Sequence, residues 1–192
     1  MSEGVAIPGD IARAVKLVIL DVDGVMTDGG IYLGASASGE TFELKRFEIT
    51  DGLGVLLLQR SGIEVAIVTG RSSEVVAMRA RELRIEEVHQ DPRARKLPVV
   101  REMLERRGYG WENAAFLSDD LADVPVLRRA GLPVAVANAV PEVQAIARWH
   151  TSRSGGNGAI REFSEALLKA RGEWDAALAG YLREREDGHE PA

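Results

Sequence analysis

The chain has 192 residues, 45% hydrophobic and 28% charged, with no cysteine and a formal net charge of −6. That length suits one domain with a sizeable core, of ordinary globular composition, and the missing cysteine excludes disulfides, thiolate metal sites and cysteine nucleophiles. The acidic balance argues against a nucleic-acid partner while leaving room for a local basic pocket.

The first fifteen residues lack a basic region followed by an apolar core, so no signal peptide is expected. No apolar run reaches the roughly 18 residues a membrane span needs. A cytoplasmic chain with no membrane partner is the expectation. Apolar β-type runs then alternate with helix-period segments, which predicts βαβ units on a parallel sheet. The first strand is expected over Lys16 to Leu20. Ile31-Tyr32-Leu33 and Thr41-Phe42-Glu43-Leu44 flank a small polar loop and predict a β-hairpin spanning about 30–46. Asp51 is expected to cap a helix running to about Arg60, which Gly62 stops. Strand Glu64 to Val68 precedes a helix capped by Ser72 or Ser73. A short strand near Val88 precedes a helix from Lys96 to Arg107. Ala114 to Leu117 is a strand, Pro125 opens the next helix, and Pro133 to Ala137 is a strand followed by a helix from Pro141 to Arg148. Trp149 to Ser152 is a last short strand, and the loop Gly155-Gly156-Asn157-Gly158 opens a helix to about Lys169. The tail after Gly172 is helical in pattern, then charged and frayed. The fold class is α/β: a three-layer, doubly wound, Rossmann-like parallel sheet forming a single domain over 1–192, its core about 16–169 and its C-terminal tail about 153–192.

Four polar sites fall at or just after strand ends: Asp21 and Asp23, Thr69, the Lys96 region, and Asp119, Asp120 and Asp123. In a parallel sheet these meet at one rim, where ligands bind. In an extended strand Asp21 and Asp23 share a face because the side-chain period is 2. Two adjacent carboxylates repel, so each needs a cation or one holds a proton. Carboxylates, one hydroxyl and one ammonium suit phosphoryl transfer with Mg²⁺, a cation that prefers hard oxygen ligands and shares them with a substrate phosphate. Plainer readings stand beside these: a polar turn for the aspartates, an N-cap for Thr69, a solvated Lys96. His89, His150 and His189 have no partner pattern and read as solvated or structural.

The stretch Asp21-Val22-Asp23-Gly24-Val25-Met26-Thr27-Asp28-Gly29 resembles the first motif of the haloacid dehalogenase superfamily. Its longer form is similar to that of the 3-deoxy-D-manno-octulosonate 8-phosphate phosphatases. The order nucleophile motif, threonine, lysine, acidic motif is the same, and Gly155-Gly156-Asn157-Gly158-Ala159-Ile160-Arg161-Glu162 matches the family's G-G-x-G-A-x-R-E segment. The resemblance implies that Asp21 is the nucleophile and forms an aspartyl-phosphate. Asp23 is implied as general acid and base, its backbone carbonyl also binding the metal. Thr69 and Lys96 are implied to hold the phosphoryl group, with Asp21, Asp119 and Asp123 around Mg²⁺ and Asp120 a lesser candidate. Asp28, Gly70, Arg71, Asp51, Gly52, Gly156 and Arg161 are the implied substrate contacts. The chain departs from the family at Ser118, where glycine usually stands, and at Glu48-Ile49-Thr50-Asp51-Gly52, where N-x-R-D-G is frequent. The second departure bears on which sugar is bound.

The gaps between motifs leave no room for a cap domain. The resemblance then implies a homotetramer in which hairpins assemble and a neighbour's C-terminal tail covers the site, and an exposed hairpin edge is otherwise a liability. The implied activity is Mg²⁺-dependent hydrolysis of 3-deoxy-D-manno-octulosonate 8-phosphate, in lipopolysaccharide precursor synthesis. A nonulosonate 9-phosphate (sialic-acid-like) is the alternative substrate. A phospho-receiver signalling module is the alternative of another class, and Asp23, an acid/base beside the nucleophile, argues against it.

Overall fold

The computed structural model describes residues 6–186. Its centre is a six-stranded, all-parallel sheet in the order β5-β4-β1-β6-β7-β8. The strands are β1 (Leu17–Leu20), β4 (Glu64–Thr69), β5 (Glu87–Gln90), β6 (Ala114–Ser118), β7 (Leu132–Ala135) and β8 (Trp149–His150). A separate antiparallel hairpin pairs β2 (Tyr32–Ala35) with β3 (Thr41–Leu44). Every residue of β1, β6 and β7 is buried, which is why they read as continuous apolar runs rather than alternating ones.

The helices are α1 (Gly9–Ala14), α2 (Ile49–Arg60), α3 (Glu74–Glu82), α4 (Lys96–Arg107), α5 (Val124–Leu127), α6 (Pro141–Ile146), α7 (Ala159–Arg171) and α8 (Trp174–Glu186). They pack in groups, α1, α2 and α8 against α7, and α4 and α6 against α5. The doubly wound expectation therefore holds. The chain winds from β1 outward to β5, then returns to β6 and winds the other way. The reversal between β1 and β6 opens a crevice at their carboxyl ends.

Three boundaries differ from expectation for local reasons. Glu48, not Asp51, caps α2: its carboxylate accepts from the Thr50 amide at 3.3 Å and hydroxyl at 3.2 Å. Ser73 stands at the α3 cap, yet its hydroxyl makes no capping bond. Helix α1 was not expected, because six residues carry little periodicity. It is held from across the chain by Arg171, which donates to the Ala12 and Val15 carbonyls at 3.0 and 2.9 Å.

The C-terminal segment divides into two parts with different roles. Helix α7 belongs to the core: Phe163, Leu167 and Leu168 are fully buried. Helix α8 buries no residue completely and is tethered by Arg60 through Glu184 at 2.5 Å.

Candidate active site

Strand β1 ends at Leu20, so Asp21 and Asp23 stand in the turn beyond it rather than in the strand. Gly24, at φ +86°, closes that turn, in a region that side chains other than hydrogen seldom enter. The Thr27 hydroxyl stitches it, donating to Val22 O at 3.2 Å and accepting from the Gly29 amide at 3.2 Å. The expected shared face is lost as a result, and the two carboxyls take different partners.

Asp21 is buried, and its Oδ1 lies 2.7 Å from Lys96 Nζ. Lys96 opens α4 beside the end of β4, and its Nζ also lies 2.7 Å from Asp123 Oδ1. Burial works against the Lys96 charge, but Asp21 and Asp123 outweigh it and hold its pKa above the ordinary value. Burial, then the neighbouring Asp123 charge, pushes the Asp21 carboxyl up to about 7 against the pull of Lys96. Burial, then Asp21 and Asp120, pushes Asp119 to about 7 as well. Asp123 is raised too, by burial first. One ammonium does not neutralise three clustered carboxylates, so the rim resists full ionisation until another cation is present.

Among the described residues no three acidic or imidazole side chains form a ready-made metal cage. Mg²⁺ does not require one, since it keeps waters and takes one or two carboxylates plus a substrate phosphate. The residues fit that use. Asp119 Oδ1 and both Asp123 oxygens are buried without an aligned hydrogen-bond donor, Lys96 being close to Asp123 but not in line. Asp119 lies directly over Gly24, where an added Cβ would strike its carboxylate. Asp120 is turned elsewhere and caps its own turn, accepting from the Leu121 amide at 2.7 Å. Ser118, where the family usually has glycine, is buried, and its hydroxyl lies 3.5 Å from the Asp120 carbonyl.

Asp23 faces outward into the mouth of the crevice. Its Oδ1 is bonded by Lys45, and Arg71 Nε lies 3.8 Å from its Oδ2. Thr69 is buried at the end of β4, with its Oγ1 accepting from the Arg71 amide at 3.3 Å. Gly70 is a close-approach position: a Cβ there would sit 2.9 Å from that of Ala94. Gly156, at φ +63°, packs its backbone on Thr27 and Asp28, and its amide donates to Val25 O at 3.1 Å. Asp28 is exposed at the root of the hairpin and accepts from the Gly30 amide at 3.0 Å.

Three of the expected substrate contacts lie away from the mouth. Asp51 is buried and accepts from the Arg161 amide at 2.8 Å, so it is the anion under the amino end of α7; the unpaired amides of a helix start favour such a group. Gly52 fits the seam between α2 and α3, where a Cβ would meet Leu83 at 3.1 Å. Arg161 pairs with Glu165 at 2.7 Å and stacks over Trp174. Within the chain, the contacts of all three are to α7, α2 or α3. His89 is paired with Glu87 and His150 contacts the Gln144 carbonyl at 2.9 Å, as structural groups do; His189 lies outside the described residues.

Asp51 carries a pH prediction. Burial first, then Glu48, pushes its carboxyl from 3.8 up to about 6, against the α7 amides that favour its charge. A folded pKa above the unfolded one means that ionisation costs stability. Stability should therefore fall as pH rises from about 4 to about 6, by at most about 3 kcal/mol from this group. Denaturant unfolding across that range should show a flatter profile for Asp51→Asn, which keeps an acceptor and loses the charge.

Two groups at the site were not anticipated. Asn138 clips the motif turn to the glycine loop, donating to Gly24 O at 2.9 Å and accepting from the Gly155 amide at 2.7 Å; no local pattern marks it. Lys45 was legible in principle, because Glu43 and Lys45 alternate with Phe42 and Leu44 and so share one face. Elsewhere, a cleft of about 630 Å³ borders the opposite rim, but there Arg107 is already paired with Glu64 at 2.7 Å and Glu87 at 3.1 Å. The unpaired Asp119 and Asp123 oxygens lie instead beyond the carboxyl end of β6.

Comparison with known proteins fits this geometry. A haloacid dehalogenase-like hydrolase family profile matches residues 90–163. The chain is 43% identical over 166 residues to the 3-deoxy-D-manno-octulosonate 8-phosphate phosphatase KdsC of Escherichia coli K12, covering 86% of each. It superposes with a TM-score of 0.83, at 38% identity and covering 90% of this chain and 97% of the other, on the Moraxella catarrhalis 3-deoxy-D-manno-octulosonate 8-phosphate phosphatase in complex with magnesium, phosphate and KDO. A probable yrbI family phosphatase from Pseudomonas syringae gives 0.83 at 43% identity, covering 91% and 96%.

Proposed function

The chain belongs to the 3-deoxy-D-manno-octulosonate 8-phosphate phosphatase family of haloacid dehalogenase-like hydrolases, and we propose that it hydrolyses that sugar-acid phosphate, with Mg²⁺, in lipopolysaccharide precursor synthesis. The observation that carries the reading is the Asp21–Lys96–Asp123 cluster at 2.7 Å separations, beside the unpaired Asp119 oxygen.

In this reading Asp21 attacks phosphorus and becomes an aspartyl-phosphate. Asp23 gives a proton to the departing sugar oxygen, then takes one from the water that releases phosphate. Lys96 orients Asp21 and, with Thr69 Oγ1, receives the phosphoryl oxygens. Asp21, Asp119, Asp123 and the Asp23 carbonyl would hold Mg²⁺, which supplies positive charge against the developing phosphoryl charge. Arg71, at the mouth and half exposed, suits the substrate carboxylate. Gly70, Gly156 and Asp28 shape the entry. A multiply charged substrate does not cross a bilayer unaided, so an enzyme that consumes it works where it is made, and we place it in the cytoplasm.

The test is phosphate release, with Mg²⁺ and with an EDTA control, from a panel containing the octulosonate 8-phosphate and nonulosonate 9-phosphates. Preference for the octulosonate supports the full reading. Preference for a nonulosonate keeps the chemistry and moves the pathway.

The same reading includes a homotetramer. In its support, the hairpin and the start of α2 expose Tyr32 at 55%, Leu33 at 79%, Phe42 at 49%, Leu44 at 57% and Ile49 at 81%, large apolar groups concentrated on one short stretch of chain, as at an interaction surface. Helix α8, which buries no residue completely, is the C-terminal element this reading assigns to covering a neighbour's site. Sedimentation velocity should give a tetramer for the wild type and a smaller species for the double variant Leu33→Glu, Phe42→Glu.

A further inference from the structure

Strand β3 presents two faces. Phe42 and Leu44 point outward and are exposed, while Glu43 and, just past the strand, Lys45 point inward to the mouth of the site. The Lys45 side chain is fully enclosed, at 0% exposure. A buried ammonium is tolerated only when paired, and Lys45 has two partners: Asp23 Oδ1, and Glu43 Oε1 at 3.2 Å. Arg71 closes the cluster, with Nη2 3.6 Å from Glu43 Oε1 and Nε 3.8 Å from Asp23 Oδ2. Two carboxylates and two cations thus sum to no net charge. Of the four, Arg71 is the most exposed and Lys45 the least.

We propose that Lys45 is a positioning residue for the phosphatase reaction: it fixes the Asp23 carboxyl at the mouth, and Glu43 in turn fixes Lys45. The inference rests on the acid/base role assigned to Asp23 above. Among the described residues the side-chain partners of the Asp23 carboxyl are Lys45 and Arg71, and Lys45 is the one in hydrogen-bond contact. Lys45 takes Oδ1 and leaves Oδ2 as the oxygen that carries the proton. In the first half-reaction an Asp21 oxygen bonds phosphorus, the bond from phosphorus to the sugar oxygen breaks, and that oxygen takes the Oδ2 proton. In the second, Oδ2 recovers a proton from water as the water oxygen bonds phosphorus. The bond from phosphorus to Asp21 then breaks and returns its electron pair to the carboxylate. Lys45 stays charged and touches neither phosphorus nor the leaving oxygen.

The experiment uses the full-length protein with Mg²⁺ and compares kcat/KM, which reports on leaving-group departure, for the sugar phosphate and for p-nitrophenyl phosphate. Nitrophenolate departs without needing a proton. Lys45→Met, which keeps the side-chain volume, should lower kcat/KM for the sugar phosphate about 100-fold and for p-nitrophenyl phosphate about threefold or less. Lys45→Arg should recover a substantial part of the loss. In an Asp23→Asn background, Lys45→Met should cost nothing further. Equal losses on both substrates, a further loss in that background, or wild-type turnover of the sugar phosphate would overturn the proposal. Should Lys45→Met fail to fold, as judged by thermal melting, Glu43→Gln provides the second variant, with a smaller loss and the same substrate asymmetry. A wild type that releases phosphate from neither compound overturns the phosphatase reading itself, an outcome distinct from equal losses.

Discussion

Asp21→Asn is expected to abolish phosphate release, by about 10⁵-fold or more, while the protein stays folded. An amide oxygen is a poor nucleophile and does not form the acyl-phosphate, so the covalent route closes and only binding and charge stabilisation remain. The fold should tolerate the change because the charge is not what holds Asp21 in place. Burial already pushes its carboxyl up to about 7, and an uncharged group of the same shape removes a repulsion with Asp123. Lys96 keeps Asp123 as a partner at 2.7 Å. Phosphate release and thermal melting, measured on the same preparation, decide the matter. Substantial retained activity would remove Asp21 from the nucleophile's role; loss of the melting transition would make it a structural residue instead.

The second large effect is on stability as well as rate. The Lys96 side chain is 3% exposed and lies 2.7 Å from both Asp21 and Asp123. Lys96→Met leaves two buried carboxylates without their cation. Breaking a buried ion pair by deleting one partner costs about 3–5 kcal/mol, and denaturant unfolding without added metal at neutral pH should show a loss of that order. The pH dependence has a definite sign. Both carboxyls already have folded pKa values above their ordinary ones, so their ionisation opposes folding, and without Lys96 it opposes folding more. The stability gap between variant and wild type should widen as pH rises and narrow in acid, where protons replace the missing ammonium. Turnover should fall by about 10²–10³-fold, the range for one lost electrostatic contact to the reacting group. A variant as stable as the wild type at neutral pH would show that Lys96 does not neutralise this cluster.

Much of this site was legible because its signals are short-range. An apolar run followed by Asp21-Val22-Asp23-Gly24 identifies a strand end wherever it occurs, and a parallel sheet brings such ends to one rim. Lys96 was weak by itself, since a lysine at a helix start is ordinarily solvated; only the fold buries it between two aspartates. The intrachain contact of Asp51 and Arg161 is invisible in the sequence for a related reason. Each sits in a motif that accompanies the active site, and sequence spacing does not distinguish a residue that touches a ligand from one that ties down a neighbouring helix. The amide of Arg161 and the carboxylate of Asp51 meet 110 residues apart.

The amino-acid sequence by itself determined the sheet, the order of its motifs and the reaction class, because periodicity, turn residues and carboxylate spacing act over a few neighbouring residues. The tertiary structure alone decided which groups contact the candidate site residues. Lys45 reaches Asp23 across 22 residues and Asn138 reaches Gly24 across 114. These pairings exist only once a hairpin folds back and a crossover closes, and nothing local to either residue encodes the partner it will meet.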